Sequence, residues 1–184
     1  KALNEGSEYL TELAIKRILL LHGVMLTIGG IPLVYLGDEI GTLNDYSYGD
    51  DPEKDGDSRW VHRSSFDWQK AKARSDIETS EGRIFQGLLR LIQIKQRTMA
   101  FSRSDTEFAD LGNDHVLCYF RQYAGQSVLV LANFTETQQL IAGSKLRLLG
   151  LRKVTSDIVS GRTISATQQL VLDAYQLMIL VGMR

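Results

Sequence analysis

Leu10, Leu13, Ala14, Leu20, Leu21, Val24 and Met25 fall three, four and seven positions apart, which predicts a helix with a wide apolar face. Ser7 is placed to cap it, and Gly29-Gly30 closes it after about Thr27. "IPLVYLG" follows, apolar at odd and even positions alike and bounded by glycines. Such a run predicts a short strand, Ile31–Leu36, buried on both faces, as in parallel sheets covered by helices. Pro32 sits near its start, where a missing N–H does least harm. The pattern then lapses from Gly37 to Thr79, a polar excursion whose tryptophans, tyrosines and phenylalanines argue for order. Ser80 opens a second helix, with Ile84, Leu88, Leu91, Ile92 and Lys95 at helical spacing and Glu81 in the first turn.

Past about Ser102 the texture changes. "HVLCYFRQY" and "QSVLVLANF" read as strands joined by a tight hairpin, and shorter candidates follow at "TQQLIA", "RKVTSDI", "QLVLD" and "YQLMILV". An α/β part, residues 1–101, thus precedes an all-β part, residues 102–184, expected to be an antiparallel sandwich. The α/β part amounts to one crossover unit whose strand needs parallel neighbours. The expectation is that the chain is a fragment of a longer protein.

Composition narrows the function. Apolar residues are 43% and charged residues 23%, with a formal net charge of −1. No basic block marks a nucleic-acid footprint. Ile18 to Leu36 approaches membrane-spanning length, but the two glycines, Pro32 and His22 break it, so no membrane partner is expected. No signal peptide is evident, and a single cysteine, Cys118, suits a reducing compartment. A cytoplasmic location follows as the expectation.

Asp50 to Arg63, "DDPEKDGDSRWVHR", holds the densest candidate chemistry. Asp51, Glu53, Asp55, Gly56 and Asp57 nearly match a calcium loop, but position 12 is His62 where a bidentate glutamate is needed. No metal and no cofactor are expected. A solvated acidic loop accounts for Asp50 to Asp57, yet leaves Arg59, Trp60 and His62 unexplained. Asp38 and Glu39, just after the expected strand, resemble a catalytic carboxylate pair in position. Adjacent residues point apart, however, which favours a structural role in satisfying loop amides. Cys118 alternates with Val116 and Phe120 and reads as core, while His22 and His115 lack ligand spacing. There is no nucleophile elbow, P-loop or dinucleotide fingerprint.

"GGIPLVYLGDEIGTLNDYSYGDD" followed by "DGDSRWVHR" resembles the α-amylase family of glycoside hydrolases, and within it the amylosucrases. The strand motif is broadly family-wide, whereas GTLND followed by D-S-R-W-x-H-R is particular to the sucrose-acting group. "VLVLANF" and "LVLDAYQLMIL" resemble the family's C-terminal domain, with Ala174 where proline is common.

The resemblance implies that residues 1–101 are the last part of a (β/α)8 TIM barrel and residues 102–184 its C-terminal β-sandwich. It implies that Arg59 closes the floor of a glucosyl pocket by pairing with an aspartate from early in the barrel, with Asp57, Trp60 and His62 as a supporting loop. The motifs of the three catalytic carboxylates are not in this sequence, so no catalytic residue is assigned. The implied reaction is retaining glucosyl transfer from sucrose to an α-1,4-glucan with release of fructose, and sucrose hydrolysis is the near alternative. A non-catalytic carbohydrate-binding or interaction module is the alternative from another class. The chain by itself is expected to be inactive, and to self-associate through the apolar surface of residues 1–101.

Overall fold

The computed structural model describes residues 6–103 and 105–183 and divides into two compact units, residues 1–32 with 88–184, and residues 33–87. Among the described residues the α-helices are α1 (Glu8–Thr27), α2 (Trp68–Lys72), α3 (Ser80–Arg97) and α4 (Gly143–Leu148). The strands are β1 (Thr106–Phe108), β2 (Val116–Tyr123), β3 (Gln126–Asn133), β4 (Gln139–Ile141), β5 (Leu151–Asp157), β6 (Thr163–Ser165), β7 (Leu170–Leu172) and β8 (Leu177–Met183).

Both long helices start where local chemistry puts them. The Ser7 hydroxyl accepts from the Leu10 N–H, and the Thr79 hydroxyl accepts from the Gly82 N–H at 3.0 Å. The buried residues of α1 are Leu13, Ile15, Leu20, Gly23, Leu26 and Thr27, while Leu21, expected on the apolar face, is 52% exposed.

The larger unit is built on a six-stranded sheet in the order β1-β2-β3-β8-β5-β6, with every pairing antiparallel. A separate two-stranded antiparallel sheet joins β4 to β7. The β2–β3 hairpin closes through Ala124 and Gly125, both at positive φ (50° and 78°), as the twist of a two-residue hairpin demands. The period-2 pattern of β3 splits its side chains between two cores. Val128, Val130 and Ala132 join Tyr119, Leu177 and Ile179 under Leu13, Leu20 and Leu26 of α1 and Leu91 of α3. Leu129 and Leu131 join Cys118, Met178 and Leu180 with Ile141, Leu146, Leu170 and Leu172 of the β4, α4 and β7 layer. The sheet is therefore covered on both faces, by helices on one and by short strands and α4 on the other. The approach of α1 is close at Gly23, where a Cβ would lie 2.3 Å from Leu177 Cδ2.

Polar groups lock this arrangement. Arg121, 2% exposed, donates from Nη1 to the Thr27 carbonyl at 3.0 Å, at the C-terminus of α1 where a positive charge is favoured. The Tyr119 and Thr27 hydroxyls are 2.6 Å apart, and burial pushes the Tyr119 phenol up to about 12. Asn133, fully buried, donates to the Thr137 and Asp173 carbonyls at 2.8 Å each and accepts from Thr135, tying β3 to the β7–β8 turn. Cys118 is core, as its alternation implied, and burial raises its thiol to about 12.

The expected strand Ile31–Leu36 does not form. Residues 31–35 belong to no regular element, and Ile31 is 98% and Leu33 76% exposed. A strand exists only through a ladder to a neighbour, and no described strand lies beside this one. Its amides are instead drawn into a local turn. Tyr35 N–H donates to Asp38 Oδ2 at 3.3 Å, and Gly37 N–H to Glu39 Oε2 at 2.7 Å. β1, β6 and α4, each three to six residues long, are additions that the hydrophobic pattern did not reveal.

Candidate functional site

Residues 37–65 of the smaller unit carry the candidate chemistry, and they are ordered without a sheet. Two 3-10 helices, Tyr46–Asp50 and Ser58–His62, are each capped by the aspartate before them. Asp45 Oδ1 accepts from the Ser47 N–H at 2.9 Å, and Asp57 Oδ1 from the Arg59 N–H at 3.0 Å. The two turns are clasped together by the Asp45 N–H on the Val61 carbonyl at 2.9 Å and the Ser64 hydroxyl on the Leu43 carbonyl at 3.0 Å. His62 Nδ1 lies 3.0 Å from Asn44 Oδ1, so the histidine belongs to this clasp.

Arg59 is gripped from within its own turn. Its Nε and Nη2 donate to the two carboxylate oxygens of Asp57 at 2.8 Å each, a planar fork-to-carboxylate pair. Within this chain its partner is two residues away, and the Arg59 side chain is 73% exposed. The guanidinium and the Arg59 N–H together hold the Asp57 carboxyl down at about 2. Its folded value is depressed, so the pairing is complete above the ordinary 3.8 and is lost only as pH falls through about 2. NMR titration of the Asp57 carboxyl carbon is expected to give a midpoint near 2. Arg59→Ala should move that midpoint upward; an unchanged midpoint would show that the fork does not form in solution.

Trp60 does not share that fork. Lys54 Nζ lies 5.3 Å and the Arg63 guanidinium 5.4 Å from its ring centroid, both in cation–π range. It lines a cavity of about 440 Å³ whose wall includes Asp45, Ser47, Tyr48, Asp50 and Arg63. Arg59 is absent from that wall, so the loop holds two distinct features: an exposed arginine fork and a cavity beside the tryptophan. The cavity went unnoticed in the sequence, although "NDYSYGDD" carries its signal, aromatic rings alternating with acids and hydroxyls. Asp51 accepts from the Glu53 N–H at 3.1 Å and pairs with Lys54 at 2.8 Å. Among the described residues no three His, Cys, Asp or Glu side chains are grouped to hold a metal ion. No described helix is long and apolar enough to cross a membrane.

Residues 111–181 match the family described as cyclo-malto-dextrinase C-terminal domain. Among solved structures, AmyP in complex with maltose superposes with a TM-score of 0.71 at 17% identity, over 91% of this chain and 34% of that one. The MutB E254Q mutant in complex with sucrose gives 0.66 at 20% identity, over 90% and 38%. The α-amylase from Geobacillus thermoleovorans, complexed with acarbose, gives 0.64 at 22% identity, over 91% and 33%. The chain spans about a third of the length of these structures. Residues 111–181 therefore carry the pattern of a cyclo-malto-dextrinase C-terminal domain, and the chain has the fold found over that third of these maltose-, sucrose- and acarbose-bound structures.

Proposed function

We propose that this chain is part of an α-amylase-family enzyme that transfers glucosyl units from sucrose to an α-1,4-glucan, releasing fructose with retention of configuration. In this reading residues 1–101 complete a (β/α)8 barrel and residues 102–184 form the domain that follows it. The observation that carries it is the "GTLND…DSRW" loop, folded so that Asp57 presents Arg59 as an exposed fork. A guanidinium fixed in this way keeps further N–H donors for a carboxylate or for sugar hydroxyls. The cyclo-malto-dextrinase match over residues 111–181 supports an α-glucan context, and the fold shared with a sucrose-bound structure is compatible with the donor.

The test is the full-length enzyme given sucrose alone and sucrose with a maltooligosaccharide. Fructose should appear in excess over free glucose, with the missing glucose recovered as lengthened α-1,4 chains. Equal release of both sugars would identify a hydrolase and overturn the transfer reading. The 184-residue chain alone is expected to release no fructose above a heat-killed control.

A further inference from the structure

We propose that the cavity beside Trp60 is a binding site for a neutral pyranoside, separate from the Arg59 fork. Its volume of about 440 Å³ lies within the range of small-ligand sites, about 300–1,000 Å³. The charge of its wall selects the ligand. Asp45, Asp50 and Asp51 face it together with Lys54 and Arg63. An anion entering there meets three carboxylates, and a cation meets an ammonium and a guanidinium. A neutral polyol meets neither penalty, since each hydroxyl both donates to a carboxylate and accepts from Lys54 or Arg63.

The groups are also differently committed. Asp45 is engaged by Ser47, and Asp51 by Lys54 and the Glu53 N–H, so these two build the wall. The Asp50 side chain makes no hydrogen bond or ion pair to any described residue, which leaves its carboxylate for a ligand. Trp60, whose ring also packs against Lys54 and Arg63, and Tyr48 supply what aromatic surface the mostly polar wall has for the C–H edge of a sugar ring. That the pyranoside is a glucoside rests on the proposed function; that it is an uncharged polyol rests on the wall alone.

The two tryptophans provide the assay. In ¹H–¹⁵N spectra of the 184-residue chain, Trp68→Phe assigns the Trp60 indole N–H, and the Trp68 signal reports that the fold is intact. Methyl α-glucopyranoside and maltose are expected to move the Trp60 signal saturably, with Kd on the order of 1–10 mM for so open a site. Asp50→Asn should weaken this roughly tenfold, the scale of one charge-assisted hydrogen bond. Lys72→Ala, on α2, should leave it unchanged. No saturable shift in a folded chain, a shift indifferent to Asp50→Asn, or tighter binding of inorganic phosphate than of maltose would each overturn the proposal. Sucrose kinetics of Arg59→Ala in the full-length enzyme test the transfer reading separately, so either idea can fail while the other stands.

Discussion

Arg59→Ala in the full-length enzyme is expected to lower kcat/KM for sucrose by roughly 10²–10³-fold, the scale on which one preorganised donor acts. The geometry explains why one exposed side chain should matter so much. Asp57 caps the 3-10 helix and holds both Nε and Nη2, so the guanidinium plane is set before any sugar arrives. Little rotamer freedom then remains to be lost on binding. Arg59→Lys should recover little, because an ammonium cannot reproduce a planar fork. Asp57→Asn should have an intermediate effect, leaving the guanidinium in place but weakening its hold on the carboxylate side. Lys72→Ala is the control. Wild-type kcat/KM in a folded Arg59→Ala enzyme would mean that the loop is merely solvated and that the pocket assignment is wrong.

Asp157→Ala should cost the larger unit about 3–5 kcal/mol. Asp157 ends β5 at 1% exposure and accepts from the Val159, Ser160 and Ile179 N–H groups and the Ser160 hydroxyl, at 2.6 to 3.1 Å. It thus shapes the β5–β6 turn and fastens β5 to β8 just past the irregular stretch of their ladder, which lies between Leu151 and Ser156. Truncation leaves the buried Ile179 N–H without an acceptor, while water can reach the donors at Ser160. Asp157→Asn should lose less, since one oxygen survives, but its amide faces a donor. Urea unfolding followed by circular dichroism checks this, with the two tryptophans, both in the smaller unit, as a separate readout of that unit. A change below about 1 kcal/mol for the alanine variant would show that the turn holds without its carboxylate.

Much of the fold was legible because its signals are local. The Ser7 cap, the helix from Ser80, the β2–β3 hairpin and the strands β4, β5, β7 and β8 follow from caps, turns and alternation. Ile31–Leu36 forms no strand in this chain because a strand is a property of two segments, and the parallel neighbours its apolar run calls for are not among the described residues. Leu21 was placed on the wrong side because α1 is apolar almost all round, so periodicity alone does not choose its buried side. The site was half legible. "DSRW" pointed to Arg59, but the Asp57 fork depends on a 3-10 turn for which no periodicity exists. The cavity needed residues 45 to 65 brought together, which only the clasp between the two turns achieves.

The contact between Gly23 and Leu177 sets a schedule for the newborn chain. These residues lie about 150 positions apart, and β8 must be in place before the cluster around α1 is complete. At translation rates of about 5–20 residues per second, α1 waits roughly 8–30 s for the β8 part of its cover, Leu177 and Ile179, to be made. Collapse of a chain this size takes well under a millisecond, so the helix meets many wrong surfaces before the right one exists. Production of this protein is therefore expected to lean on chaperone capacity and to improve when synthesis is slowed less than folding.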